Sequence, residues 1–364
     1  MPVRPRHCNG QQGPPTPLTE LVGKAGGEGE GPEPGDDPRS RHNPVLRGGV
    51  PVALAKFAAA HFAPAPFVAA RFAAALLVAA QFACSREHTT QRARVLGVDH
   101  FGDSIRVPAH VTRIVSLNPT TTEILFALGA GARLVGRTQY DNWPDSAHFV
   151  PNLGPGIRPN IEAVLAAKPD LVLLYASQDN RPAARRLRAS GIATAGFKVD
   201  RIEQFDTLTR VLGRLIGDSA RGAFVADTVR RTLDSVRALT KNLPRVSVVM
   251  PVWDEPLMVI GGGSFMSQLV EIAGGRNVYD SFPAPSPTVS FEDVLRRNPS
   301  AVLMGPERAG RLGRLRETSK WKTLPAVQAG RILIYDTAVV LRPAVRLGEG
   351  AVSLARLLHP EPRR

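Results

Sequence analysis

A chain of 364 residues with 43% hydrophobic content is long enough to bury two sizeable α/β lobes and still carry an extension, which excludes a single small module. The net charge is +14, and Arg outnumbers Lys 39 to 7. These arginines are scattered over helix-forming stretches such as "RPAARRLRAS" rather than clustered with aromatics, so the balance reads as an Arg- and Ala-rich composition, not a nucleic-acid footprint. Cys8 and Cys84 are the only cysteines and both precede the part that reads as folded, which excludes disulfide and thiolate chemistry there.

Residues 1–51 are rich in Gly, Pro and charged residues without apolar periodicity, and are expected to be disordered or an over-extended gene start. Residues 52–84 turn apolar, but Lys56, Pro64, Pro66 and Arg71 interrupt them, so they lack the roughly 20 unbroken apolar residues of a membrane span. From Arg71 to Cys84 the layout is a charge, a short apolar core and small residues, as in a secretory signal. Two processing sites fit. Cys84 after Ala83 has the place of a lipidated lipoprotein cysteine, although Gln81 and Phe82 depart from the usual small or aliphatic residues. Cleavage after Ala80 would instead leave a soluble periplasmic protein. An apolar tail on a cytoplasmic protein is the third reading.

Residues 85–110 read as a linker and a first strand region. From 111 to 217, strands alternate with helices, the pattern of a parallel three-layer α/β lobe. "TRIVSL" is a strand; "TTTEILFALG" is a helix, with Thr120 as cap, Glu123 completing a capping box and Gly129 ending it. "RLVGR" follows as a strand, "NIEAVLAAKPDLVLLY" and "NRPAARRLRASGIATAGF" each give a helix and a strand, and "RIEQFDTLTRVLGRLIG" is helical. Residues 218–242 contain no Pro and one Gly, with apolar positions 224, 225, 229, 233, 236 and 239 on one helical face. This segment is expected to be one long helix joining two lobes, and its stiffness implies that they flex only modestly. The alternating pattern restarts over 243–360.

The halves also repeat. "NIEAVLAAKPDLVLL" (160–174) aligns without a gap on "SFEDVLRRNPSAVLM" (290–304), at a constant offset of 130. Each segment opens on a capping residue, Asn160 or Ser290, and places Glu162 or Glu292 at the second helical position.

Catalytic signatures are sparse. "GGGS" (261–264) lacks the Lys and Ser/Thr of a phosphate loop and reads as a turn with Ser264 capping the next helix. The eight histidines show no metal-ligand spacing, and no Gly-x-Ser-x-Gly elbow occurs. Asp254 and Glu255 in "VWDEPL" are the best acid/base candidates, against a solvated strand-end turn. Tyr140 and Trp143, two of only four Tyr and three Trp, stand three residues apart in the turn-rich "YDNWPDSA". An exported two-lobed protein of this kind points to ligand capture.

"TRIVSLNPTTTEILFALGAGARLVGRT", "YDNWP", "PNIEAVLAAKPDLVLLY", "GGGSFMSQLVEIAGGRNVY" and "PTVSFEDVLRRNPSAVL" resemble the periplasmic substrate-binding proteins of ABC importers for cobalamin, ferric siderophores and haem, most of all the cobalamin-binding branch. The resemblance covers about residues 94–359. It implies two Rossmann-like three-layer α/β lobes joined by one long rigid helix, no catalytic role, no resident cofactor or metal, and a ligand, cobalamin or another metal chelate, held between the lobes. It further implies delivery to an ABC permease dimer with its ATPase subunits, from a periplasmic or lipid-anchored position. By the same resemblance, Tyr140 lies against the corrin, Trp143 is either a ligand contact or a structural plug, and Trp253 faces back across the cleft from the second lobe. Arg342 matches an arginine near the ligand's polar edge, and Arg346, four residues on, could receive an amide or carboxylate or could simply solvate a helix face. Glu162 and Glu292 match glutamates that dock on permease arginines. One departure stands out: where the cobalamin branch often carries further tryptophans, this chain has Pro155, Gly156 and Ser286, so a siderophore or haem is the second ligand reading. An exported hydrolase using Asp254 or Glu255, and a sensor lobe coupled to a signalling partner, are readings from other classes.

Overall fold

The computed structural model describes residues 94–309 and 320–360. The expected export signal, its Cys84 and the region before them lie outside the described residues.

Each lobe is organised by a short parallel sheet whose central strands are rich in Val, Ile and Leu. In the first, β3 (Ile114–Leu117) and β5 (Leu171–Tyr175) lie between β4 (Leu134–Gly136) and β6 (Ala193–Phe197), in the order β4-β3-β5-β6. All four residues of β3 and the first four of β5 are buried. Ser116 aside, this is why neither alternates between apolar and polar: helices cover both faces of a parallel sheet, leaving no solvent side to demand alternation. The second lobe repeats the arrangement with β7 (Val246–Val249), β10 (Gly275–Asn277), β11 (Ala301–Met304) and β12 (Ile332–Ile334), in the order β10-β7-β11-β12. Two antiparallel hairpins complete the strands: β1 (Arg94–Val98) with β2 (Ser104–Val107), and β8 (Pro251–Asp254) with β9 (Leu257–Val259). The buried Asp99 carboxylate fastens the first hairpin to β6 by accepting from the backbone N–H of Gly196 at 2.9 Å.

The first-lobe helices are α1 (Pro119–Ala127), α2 (Ile161–Ala166), α3 (Arg181–Ala189) and α4 (Ile202–Ile216). Helix α5 (Ser219–Thr240) joins the lobes, capped by the Asp218 side chain. The second lobe adds α6 (Phe265–Ile272), capped by Ser264 as expected, α7 (Phe291–Arg297) and α8 (Leu347–Leu358).

Two details of the sequence reading need correction. The cap of α1 is Asn118, whose side chain accepts from the Thr120 N–H at 3.1 Å, with Pro119 in the first turn. Glu123 therefore belongs to no capping box; it is fully buried, and its carboxylate is engaged elsewhere. Gly129 does end the helix, in the left-handed region at φ 76°. On α5, Val225, Val229, Leu233 and Val236 are buried, but Phe224 and Leu239 are 57% and 78% exposed. Positions 224 and 225 are about 100° apart around a helix, so one of them must leave a narrow apolar stripe; Leu239 falls in the last turn, toward solvent.

The internal repeat extends to the backbone. Asn160 accepts from the Ala163 N–H, and Ser290 accepts from the Asp293 N–H, both at 3.1 Å. Lys168 and Asn298, again 130 apart, both adopt left-handed φ values, 47° and 43°. Each lobe thus enters and leaves its repeated helix by the same turns.

Leu233→Ala is expected to lower stability by about 2–5 kcal/mol, the cost of an apolar cavity, whereas Leu239→Ala should stay within about 0.5 kcal/mol of the parent. Urea unfolding of the two variants distinguishes them; equal losses would mean that both side chains pack.

Candidate functional site

In an open parallel sheet, ligands gather beyond the carboxyl ends of the strands, where successive connections diverge to opposite sides. That point falls between β3 and β5 in the first lobe and between β7 and β11 in the second. Helix α1 leaves β3 there, and the loop after β4 carries Tyr140 and Trp143. In the second lobe, the β8-β9 hairpin follows β7 directly and carries Trp253.

The loop after β4 is held from beneath. Asp141 is fully buried, accepting from the Thr138 hydroxyl at 2.6 Å, the Thr138 N–H at 3.1 Å and the Thr122 hydroxyl of α1 at 2.7 Å. Arg137, also buried, donates to the carbonyls of Thr138, Ala147 and Val150. With the chain fixed on both sides, Tyr140 and Trp143 are left partly exposed on a rigid turn. Burial pushes the Asp141 carboxyl above its ordinary range, against the hydrogen bonds from Thr138 and Thr122.

The same loop is held from the opposite lobe. Arg342 Nη2 donates to the Tyr140 carbonyl at 2.6 Å, and its Nη1 meets Glu123 Oε1 at 3.3 Å. Arg346 stacks over the Trp143 ring at 4.8 Å from the centroid, donates to the Ala338 carbonyl, and brings Nε to 3.9 Å from Glu123 Oε2. Burial raises the Glu123 carboxyl above its usual range; Arg342 and then Arg346 pull it back. Four of the five expected contact residues therefore meet around one buried carboxylate. The arginines are part of the wall itself: they are already engaged by Glu123, the Tyr140 carbonyl and the Trp143 ring.

Trp253 makes its contacts within the second lobe. Its indole Nε1 donates to the Glu255 carbonyl at 2.8 Å, and the hairpin is tied down by Arg308, which bridges Asp254 at 2.6 Å and the Val252 carbonyl at 2.7 Å. Asp254 is thus ion-paired, and Glu255 stands exposed beside it. Glu162 and Glu292 lie apart from this cluster, exposed in the first turns of α2 and α7. Among the described residues no group of His, Cys, Asp and Glu could hold a metal ion, and no helix is long and apolar enough to cross a membrane.

Gly156 explains one departure noted in the sequence. A Cβ there would lie 2.6 Å from the Leu117 carbonyl oxygen and 3.0 Å from the Thr138 methyl, so no larger side chain fits without moving the β3 terminus.

Sequence reasoning missed Glu123 and Asp141. Asp141 was visible only as a carboxylate between two aromatics, and Glu123 only as the end of an expected capping box.

Fold and site together define two helix-bridged α/β lobes, with four of the five expected contact residues gathered where the lobes meet. The chain belongs to the periplasmic binding protein family, whose sequence pattern matches residues 114–339. Among relatives, it is 25% identical over 239 residues to a vitamin B12-binding protein of Vibrio vulnificus, covering 65% of this chain and 86% of that one. Similar folds include the periplasmic vitamin B12-binding protein BtuF of Vibrio cholerae (22% identity, TM-score 0.58, 68% and 96% of the two chains). The apo haem-binding protein RhuT from Roseiflexus is alike to the same degree (24%, 0.62, 68% and 98%).

Because its folded-state carboxyl is raised, Asp141 holds a proton at higher pH than in the unfolded chain, whose value is about 3.9. Its contribution to stability is greatest in acid and is lost as pH rises through the folded value. The stability advantage of the parent over Asp141→Asn should therefore shrink between acid and neutral pH in urea titrations. A difference that is constant or grows with pH contradicts this environment.

Proposed function

We propose that this protein is the substrate-binding component of an ABC importer, capturing a corrinoid, cobalamin, between its lobes in the periplasm and delivering it to a permease dimer driven by ATPase subunits. The observation that carries this reading is the rigid aromatic turn. Tyr140 and Trp143 are partly exposed at the strand ends and braced by buried Asp141 and by two arginines of the other lobe. Flat, preorganised rings suit a large macrocycle better than a small polar solute. Trp253 would supply the second-lobe contact, and Arg342 and Arg346 the polar edge. The relatives named for vitamin B12 support the same ligand. Helix α5 as a stiff bridge implies small closure on binding.

Haem or a ferric siderophore is the second reading, favoured by two guanidiniums facing one carboxylate in the wall. Purified residues 89–364, titrated with cobalamin, haem and ferric siderophores and followed by tryptophan fluorescence, separate these ligands. Binding of haem or a siderophore alone would overturn the corrinoid assignment. Tyr140→Ala keeps the carbonyl that Arg342 engages and should weaken binding by about 1–3 kcal/mol, the scale of an aromatic contact; an unchanged affinity places the ring outside the contact surface.

Glu162 and Glu292 would dock the loaded protein, one carboxylate per lobe on a twofold permease. Glu292 is held below the usual carboxylate range by its own backbone N–H and then by the Ser290 hydroxyl, so it is charged at the helix end. Replacing both by Ala removes a helix-end preference of about 0.3–1 kcal/mol each and should leave ligand affinity intact. Uptake should fail, and association with the permease should weaken in a salt-dependent manner. Full uptake by the double variant would reduce both residues to helix-end stabilisers. Lipidation at Cys84 is the remaining part of the proposal and is read by mass spectrometry of the processed chain.

A further inference from the structure

Behind the aromatic turn, two guanidiniums of the second lobe converge on one carboxylate of the first, Glu123; the other buried carboxylate there, Asp141, is bonded to Thr138 and Thr122 instead. Glu123 is fully buried, while the Arg342 and Arg346 side chains remain 24% and 14% exposed. Each arginine has a second engagement that orients it, Arg342 on the Tyr140 carbonyl and Arg346 on the Ala338 carbonyl and the Trp143 ring. The carboxylate therefore has two consequences. It sets the direction of both guanidiniums, hence the pose of the ring stacked on Arg346, and it cancels one of the two positive charges that would otherwise face the cleft. Glu123 Oε2 and Arg346 Nε are buried without a hydrogen-bond partner, 3.9 Å apart. Their attraction is thus mainly Coulombic, and it is strong because it lies out of water.

From this we infer that Glu123 is a positioning and specificity-determining residue: by neutralising part of the Arg342–Arg346 charge it tunes the cleft toward a flat chelate with a neutral, amide-type periphery and against one with a carboxylate-bearing edge. The inference rests on the proposed capture of a metal chelate and deepens it, since the same fold accepts macrocycles with either kind of periphery. Without Glu123 the wall would present two unbalanced guanidiniums, whose donors match a carboxylate in fork geometry. With it, one of those two positive charges is offset.

The test compares chelates that differ only in edge charge: cobalamin against its monocarboxylate derivative, and haem against its neutral dimethyl ester. Glu123→Gln keeps the shape and removes the charge, so the ratio of affinities, carboxylate form over neutral form, should rise at least about threefold, the lower end expected for one charge at 5 to 10 Å in a partly wet cleft. Glu123→Asp, which keeps the charge, should hold the parental ratio. Arg346→Gln removes a charge of the opposite sign and should move the ratio the other way. A purely structural role predicts instead that every variant weakens both members of a pair alike. Unchanged ratios, or shifts of one sign in Glu123→Gln and Arg346→Gln, would overturn the inference while leaving chelate capture standing. If only the haem pair binds, the corrinoid assignment falls and Glu123 is judged on that pair. Binding of neither pair by the parent protein overturns the inference together with the corrinoid and haem readings. The Arg346 side chain is not fully buried, unlike Glu123, so its variant supplies the sign of the effect even if Glu123→Gln does not fold.

Discussion

A carboxylate with no access to water, reached by two guanidiniums from the other lobe, is the constraint on which the cleft depends. Burying Glu123 alone would cost several kcal/mol; Arg342 and Arg346 offset that cost only when the two lobes stand in this relation. Tyr140 and Trp143 inherit their pose from it, since one arginine holds the carbonyl of the first and the other lies against the ring of the second. A second set of contacts crosses between the lobes at the start of α4. Arg201 donates to the Gly262 carbonyl at 2.6 Å, and the Gln268 side chain both accepts from the Ile202 N–H and donates to Glu203.

Much of the architecture could be read from local pattern because its causes are local. Short runs rich in Val, Ile and Leu between helical stretches marked β3 and β5 as strands, and the offset of 130 showed the duplication. The bridging helix announced itself by length and by the absence of Pro. Its buried face was drawn too wide, because periodicity alone does not show which positions neighbouring helices cover, and Phe224 and Leu239 stand exposed.

The site was legible as a set of aromatics and arginines but not as a mechanism of support. Glu123 obeyed the local grammar of a capping box, three residues after a threonine, while its partner lies 219 residues away in the chain. Asn118, one residue before a proline, took the cap instead, because Pro119 at the first helical position needs no donor of its own and presets the helical φ. Asp141 is similar: its binding to Thr122 is a tertiary event that no spacing rule encodes. Arg342 and Arg346 were visible, but whether they face a ligand or a carboxylate is decided by a residue on the other lobe.

Helix α5 packs against α4 on one side and α8 on the other, so it is a wall common to both lobes. Swinging a lobe outward would peel α5 from one of these helices, at about 1.5–3 kcal/mol for each apolar side chain exposed. Against thermal energy of about 0.6 kcal/mol, the assembly behaves mechanically as a torsion spring with a deep, narrow minimum, and only small twists are explored spontaneously. On the proposed function, a cleft of that stiffness would exist before its guest arrives. Encounter is then limited by diffusion and orientation, with no waiting time for an opening event, and residence time becomes the quantity through which evolution adjusts affinity.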